Sequence, residues 1–439
     1  MTRIKLPSRN WLIFLGIVGT WTSALVYDRY HKKRALRKWC HSVSHLAQET
    51  IPANSLGRRI TILLGAPPGD GLRVSREHFH EYVKPILVAG ALDWEVIEGR
   101  REGEIRAGLA EKIRKMRERN GELRSQEEDI AISQEDAVGL VRQTMGIKEW
   151  DGVRGDLVIG RHVWKEYIRG LHEGWLGPMD APSPPKSPEV NEPSIDPPIP
   201  SSFQLQTQNE DLDVKAKEKI PDAESKPEPK PEAKASPTPS YITPSDYDTC
   251  DLASTFPSEL PPSTAVPLPH ILGFLNTPKR MWRFLHRREI AESTGASVAA
   301  LVLASHTRPY RHDTNVVSPI PTREDEGSPT SAQDPQPLWE QEVLLQEAEP
   351  EWHKSVRKEN AEGDESERVW KEDMVIDARI GDLMKTFELP EGARERGERL
   401  EEEERRNGES YWSKAKKWAG YGRREKKGWD MGFEGDEDN

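Results

Sequence analysis

The sequence predicts a single N-terminal transmembrane helix followed by an α/β body built on a parallel sheet. Two observations carry this prediction. Residues 11–27 contain no charged side chain, and the chain beyond them alternates short runs of β-branched and Leu residues with amphipathic helical patterns. A third observation is a proline-rich stretch over residues 178–262, which interrupts the body. The chain of 439 residues is long enough for two modest domains and their linkers.

The apolar stretch is short for a membrane span. Its helix would rise about 25 Å, against a hydrocarbon core of about 30 Å, and snorkelling of the flanking Arg9 and Arg29 would make up the difference. A secretory signal peptide is the alternative. That alternative requires a small-residue cleavage site, and Ser23-Ala24-Leu25 is a poor one. We therefore predict an uncleaved anchor.

The anchor divides the N-terminal region into three segments. We predict a basic N-terminus, the transmembrane helix, and a basic juxtamembrane segment that is helical to about Gln48, over residues 1–10, 11–27 and 28–58.

Four small side chains within the anchor share one helix face. They are spaced at i, i+3, i+4 and i+7, and they are Gly16, Gly19, Thr20 and Ser23. In lipid, close packing replaces the hydrophobic effect as the force between helices, so this small-residue stripe predicts a surface for a partner helix. The alternative is that Gly, Ser and Thr are simply common in membrane helices.

The first part of the body, residues 59–177, predicts the order βαβα followed by a third strand and helix. The strands are predicted at Arg59–Ala66, Leu92–Glu98 and Asp156–Gly160, and the helices at Ser75–Ala89, Glu104–Arg119 and Val163–Leu171. Pro85 must kink the first of these helices. Strands that alternate with helices favour a parallel sheet.

The rest of the chain is less regular. The proline-rich stretch cannot bury enough apolar surface to offset its ordering entropy, so we predict a disordered linker over 178–262. A second α/β or β-rich part follows over 263–390, with a loose insert at 308–337, and a charged helix with an acidic tail over 391–439. Within these parts we predict a helix opening at Thr277-Pro278, a buried strand at Ser297–Ala304 and a strand within Val369–Ile380. We also predict a highly charged helix over Gly392–Trp418, with a solvated face at residues 401–406.

Composition excludes several functions. The net charge of −12 argues against nucleic acid as the main partner. The two cysteines, Cys40 and Cys250, lie far apart and predict neither a disulfide framework nor a zinc site. We predict no metal, no cofactor and no catalytic residues.

One turn lies where α/β proteins bind phosphate. Gly69, Asp70 and Gly71 follow the first strand and precede a helix. The turn matches neither G-x-x-x-x-G-K-[ST] nor G-x-G-x-x-G, so we interpret it as a vestigial phosphate loop.

The surroundings of this turn resemble the N-terminal half of the diacylglycerol, sphingosine and acylglycerol kinase catalytic domain. The resemblance covers RRITILLGAPPGDGLRVSREHF and VKPILVAGALDWEVIEGRREGEIRAGLA. Ala66-Pro67 replaces the Asn of the phosphate loop, Gly99 lies where that family has Thr, and Gly160 leads directly into a helix where a Gly-Gly-Asp-Gly-Thr loop is expected. The resemblance implies a degenerate, lipid-kinase-like scaffold. The alternative is an active lipid kinase in which Asp70 or Asp93 acts on a substrate hydroxyl.

A second resemblance covers longer stretches. KLPSRNWLIF, VYDRYHKKRA, the region from APPGDGLRVS to GLAEKIR, and ILGFLNTPKRMWRFLHRREIAE are similar to the fungal Tim fifty-four family. That resemblance implies a non-enzymatic subunit of the mitochondrial inner-membrane carrier translocase, anchored once, with its body in the intermembrane space. The implied partners are the translocase channel subunit and other membrane subunits, small intermembrane-space chaperone complexes, and multispanning carrier precursors. The family is also linked to assembly of an inner-membrane AAA protease.

The flanking charges conflict with that topology. Six Lys and Arg residues lie within Arg29–Lys38, against three before the anchor. The positive-inside rule would therefore place the body in the matrix. We follow the resemblance, because import through mitochondrial translocases need not obey a bacterial insertion bias.

Overall fold

The structure is a computed structural model. It describes residues 8–52, 54–124, 134–148, 150, 152–181, 239–313, 338–358 and 368–407.

A four-stranded parallel sheet forms the centre of the body. Its strands are β1 Arg59–Gly65, β2 Asp93–Gly99, β3 Asp156–Ile159 and β4 Ser263–Val266. They are ordered β2-β1-β3-β4, and every neighbouring pair is parallel. The three strands predicted before the proline-rich stretch are confirmed. Because β4 pairs with β3, the chain beyond residue 262 first adds the fourth strand to this sheet. The sequence predicted the start of a second α/β or β-rich part there.

Helices cover both faces of the sheet. Their bounds are α1 Arg9–Val43, α2 Arg73–His78, α3 Lys84–Ala89, α4 Glu104–Arg119, α5 Gln134–Thr144, α6 Arg161–Leu176, α7 Thr277–Phe284, α8 Arg287–Leu303, α9 Glu340–Val343, α10 Ala378–Gly381 and α11 Ala393–Asn407. A π-helical turn at Phe79–Val83 joins α2 to α3. Pro85, which cannot donate a backbone hydrogen bond, follows this turn, and the predicted kink is therefore taken up by π geometry.

The alternation of side chains along β1 separates two apolar cores. Ile62 and Leu64 pack with Trp39 of α1 and Val298 of α8 on one face. Leu63 points to the opposite face, where α4 and α6 supply the apolar side chains. The sheet is therefore the middle of three layers.

Two predicted strands are wrong. Residues 297–303 belong to α8, which ends at Leu303. A short buried apolar run does not distinguish strand from helix, and the alanines within it favour helix. Within Val369–Ile380 the regular structure is the start of α10, and the strand of this region is β8, Lys385–Glu388, which pairs antiparallel with β5, His306–Pro309.

Parts of the predicted linker and of the predicted insert have defined structure. Residues 239–262 pack on the body, with Ile242, Tyr247 and Leu260 buried. Residues 182–238 lie outside the described residues. In the insert, β6 at His312–Asp313 pairs with β7 at Leu338–Trp339, and residues 314–337 lie outside the described residues.

The charged helix α11 is not a free solvated element. It packs antiparallel along the second half of α1, Glu401 is buried, and its carboxylate lies 3.1 Å from the Arg34 guanidinium. Residues 408–439 lie outside the described part of the chain.

Contacts at the two ends of α8 define how the sheet is oriented relative to α1. The Arg58 guanidinium, at the amino end of β1, donates to the carbonyls of Leu301 and Val302 at the end of α8, both at 2.8 Å. At the start of α8, the backbone N–H of Arg288 donates to the Asp28 carboxylate at 3.2 Å. Asp28 directly follows the charge-free stretch. The carboxyl edge of the sheet therefore faces the end of α1 that carries residues 9–27.

Candidate functional site

The N-terminal half of α1 is long and apolar enough to cross a membrane, and none of its apolar window is buried against the body. A helix of 35 residues extends about 52 Å. It passes from the apolar stretch into the body without a break. The predicted anchor and the helical part of the predicted juxtamembrane segment are thus one helix, followed by a 3₁₀ turn at Ser44–Gln48.

The small-residue stripe is uncovered. A Cβ added at Gly16 or Gly19 would meet nothing within 4 Å among the described residues. Thr20 and Ser23 are exposed, and the Thr20 hydroxyl donates to carbonyls of its own helix, including that of Ile17 at 3.1 Å. The stripe is available for a partner helix, and whether one binds there stays a prediction.

The body holds the second half of α1 from two sides. The Lys38 ammonium pairs with Glu292 of α8 and lies 3.6 Å from Glu398 of α11. Gly295 lies against the Trp39 indole, and Gly397 lies against the Lys38 backbone, so that a Cβ at either glycine would overlap its neighbour. Both helices therefore approach α1 as closely as glycine allows.

The Gly69-Asp70-Gly71 turn lies at the carboxyl edge of the sheet, and its interpretation as a vestigial phosphate loop stays a prediction. Gly69 has a φ of +84°. Asp70 accepts the backbone N–H of Gly71 at 2.7 Å, and its other oxygen lies 3.4 Å from Nε2 of His270. A Cβ on Gly69 would lie 2.7 Å from the His353 ring. Side chains from later in the chain thus contact this loop closely.

The imidazole of His162 fills the space beyond β1. Its Nε2 lies 3.2 Å from the Gly65 carbonyl, and its ring lies 5.6 Å from the Trp370 ring, nearly perpendicular to it. Burial lowers the pKa of His162 to about 4, so the ring is neutral. A single residue, Gly160, separates β3 from α6, and His162 lies within the first turn of that helix.

The first turn of α4 is occupied by a carboxylate of the chain itself. Glu166 accepts the backbone N–H groups of Ile105 at 3.0 Å and Arg106 at 3.3 Å, and also Nε1–H of Trp370 at 2.8 Å. Burial raises the pKa of Glu166 to about 7, although these donors and the Gly103 N–H oppose the shift. A helix N-terminus of this kind is where α/β proteins bind an anionic ligand. Here a carboxyl group of the chain itself has taken that place.

Residues 344–349 and 370–372 contact the cations at the start of α6. Arg161 donates to the Leu344 carbonyl and the Glu349 carboxylate, both at 2.8 Å. Lys165 donates to the carbonyls of Trp370 and Glu372, both at 3.0 Å. Both cations therefore bind backbone carbonyls and carboxylates of the protein itself.

The loop is visible in the sequence, but the groups that fill the sheet edge are not. Glu166, His162 and Trp370 are separated by up to about two hundred residues, and no local pattern joins them. Asp28 offered one usable signal, as a lone acidic residue between an apolar and a basic run.

Among the residues that the structure describes, no group of His, Cys, Asp and Glu could hold a metal ion.

Fold and site together define the class of protein: an α/β protein with one candidate N-terminal membrane span, whose sheet edge is filled by its own chain. A family model described as "Inner membrane protein import complex subunit Tim54" matches residues 1–387. The chain belongs to this family.

Similar proteins from fungi bear the corresponding name. The "Mitochondrial import inner membrane translocase subunit tim54" of Aspergillus oryzae is 47% identical over 428 residues, which are 96% of this chain and 94% of that protein. The protein of the same name from Aspergillus fumigatus is 46% identical, over 94% of this chain and 95% of its own length. The protein of the same name from Schizosaccharomyces pombe is 33% identical, over 68% of this chain and 78% of its own length. The resemblance to this family inferred from the sequence is confirmed, and that to lipid kinases stays a prediction.

Proposed function

We propose that this chain is a non-catalytic subunit of the mitochondrial inner-membrane carrier translocase. In this proposal α1 anchors it once, the body lies in the intermembrane space, and the protein scaffolds the channel subunit while docking chaperone-delivered carrier precursors for insertion. Family membership and the names of its relatives support the translocase, and the resemblance quoted above supports the finer roles.

The observation that carries the scaffolding role is the continuity of α1. The helix that presents the small-residue stripe runs on to Val43, where α8 and α11 hold it through Trp39, Lys38 and the two glycines. A partner bound to the stripe would thus be held at a set position relative to the body. A flexible joint after the anchor would give no such coupling.

The filled sheet edge supports the non-catalytic role. A phosphotransferase needs an open cradle of backbone N–H groups at this edge. In this chain Glu166 occupies the first turn of α4, and His162 lies over β1.

Substitution of the stripe tests the scaffold. We expect Gly16→Leu, Gly19→Leu and Ser23→Leu together to reduce recovery of the channel subunit after affinity purification in mild detergent, because three isobutyl groups would keep a partner helix from approaching. Phe14→Leu with Val18→Leu, on the opposite face, is the matched control. Undiminished recovery with the stripe variant would refute the role of the stripe.

Protease treatment tests the orientation. In mitochondria with ruptured outer and intact inner membranes, we expect added protease to digest the body. Complete protection, together with digestion after detergent is added, would place the body in the matrix and contradict the proposed topology.

A further inference from the structure

An exposed apolar surface lies next to the anchor. Phe274 and Leu275 are 89% and 92% exposed, and Met281 and Trp282 of α7 are 50% and 63% exposed. These four residues form what we call the α7 patch. Large apolar side chains grouped on a surface mark a contact with another molecule or with lipid.

The sequence around the patch is amphipathic. Apolar residues recur three and four positions apart, and exposed Lys279 and Arg280 lie between them. Arg287 follows α7, with its guanidinium 4.5 Å from the centre of the Phe284 ring. Aromatic side chains with interspersed cations are typical of helices that lie in the membrane interface.

The fold places this segment beside the membrane end of α1. Arg288, four residues after α7, has its guanidinium 3.5 Å from Asp28 and 5.5 Å from the centre of the Tyr27 ring. These two residues are where the charge-free stretch of α1 ends.

The other end of the segment also lies at the membrane-facing edge. His270, four residues before Phe274, is 3.4 Å from Asp70, at the carboxyl edge of the sheet. The helix packs on the turn before it rather than along α8, which leads away from the membrane. A helix of eight residues spans about 12 Å, so the whole of α7 stays near the level of Asp28.

We propose that α7 and the preceding turn form a second membrane contact, with the α7 patch buried at the boundary of headgroups and acyl chains of an anionic phospholipid surface. Arg280 and Arg287 would face lipid phosphates, as snorkelling cations do. The inference rests on the membrane anchor of the proposed function. Two contacts, one spanning and one lying on the bilayer, would hold the sheet edge against the membrane and prevent the body from tilting about α1.

Lipid-quenching of a fluorescent label tests the contact in the full chain. In a Cys40→Ala, Cys250→Ala background, an environment-sensitive fluorophore is attached at Leu275→Cys, and the protein is reconstituted into nanodiscs containing phosphatidylglycerol and a headgroup-proximal doxyl lipid. We expect blue-shifted, lipid-quenched emission. Leu275 is almost fully exposed, so the label does not disturb the core.

Two further label positions make the result decisive. Leu123→Cys is the matched control, because Leu123 is 91% exposed but follows α4 at the opposite edge of the sheet, and we expect no quenching there. Ile17→Cys reports the anchor itself. Quenching at residue 17 without quenching at residue 275 would overturn the α7 contact alone, and loss of quenching at both would overturn the anchor. A blue shift at residue 275 that requires an added membrane protein and occurs without lipid quenching would assign the patch to a protein partner and also refute the lipid contact.

Discussion

Replacement of Glu166 by Gln tests whether an internal carboxylate controls the stability of the filled sheet edge. The substitution keeps the size of the side chain and an oxygen that accepts the Ile105 N–H, but it removes the ionisable group. The Gln amide adds a hydrogen-bond donor to a site where the neighbouring groups, including Nε1–H of Trp370, are already donors.

The magnitude follows from the pKa of this residue. Burial raises the pKa of Glu166 from 4.5 to about 7. The folded chain therefore holds this proton to higher pH than the unfolded chain does. The stabilisation is fully present below pH 4.5 and is lost as pH rises through about 7. At 1.36 kcal/mol for each pKa unit, the free energy of unfolding of the wild type should fall by about 3 kcal/mol relative to Glu166→Gln across that interval.

Chemical unfolding in mild detergent, at a series of pH values from acidic to neutral, measures this difference. The other titrating groups are common to both proteins and cancel in the comparison. Glu403→Gln, an exposed residue of α11, controls for the chemical exchange and should give a curve parallel to the wild type. Parallel curves for Glu166→Gln as well would show that the carboxylate does not titrate as its buried position requires.

Three further predictions concern the junction, a buried histidine and the sheet edge. Gly295→Leu should lower the free energy of unfolding by about 1–3 kcal/mol, because the new side chain would overlap Trp39. Gly139→Leu is the control and should not lower it, because a Cβ at Gly139 meets nothing within 4 Å. Equal unfolding free energies for the two variants would contradict the close approach of α8 to α1. Burial lowers the pKa of His172 to about 4, and its Nε2 accepts the Asp377 N–H at 2.9 Å. The free energy of unfolding of the wild type should therefore fall by about 3 kcal/mol relative to that of His172→Gln as pH falls from 6.5 to 4. A difference in unfolding free energy that does not change with pH would argue against a neutral ring. Isothermal titration of the full chain with magnesium and ATP should show no saturable binding, and saturable binding would favour the lipid-kinase alternative.

Much of the sheet could be predicted because its signals are local. The β-branched runs at β1 and β3 are bounded by Gly and Pro, and the helical period in α4 is regular, so their bounds were predicted to within a residue or two. The prediction failed at α8, where an apolar run of eight residues fits either a buried strand or a buried helix. It also treated α11 as solvated, because a run of Glu and Arg gives no sign that Glu401 faces a partner helix.

The filled edge could not be predicted for a different reason. The Gly69-Asp70-Gly71 turn was visible because a strand, a turn and a helix follow each other within a few residues. The group that occupies the neighbouring helix N-terminus, Glu166, lies some sixty residues from α4 and is positioned by the packing of α6 on α4. Its role depends on that packing and not on the residues around it.

Taken alone, the amino-acid order determined the apolar N-terminal span, the parallel strands before the proline-rich stretch and the absence of a complete phosphate-binding motif. Each of these depends on charge, periodicity or glycine spacing within a short window. Tertiary structure decided that α1 continues without a break into the body, that the carboxyl edge of the sheet faces the end of that helix that carries the apolar stretch, and that the edge is filled from within. These features arise from contacts between residues far apart in the chain, such as Asp28 with Arg288 and Glu166 with Trp370. Such pairs contribute to stability only after folding has brought them together and buried them.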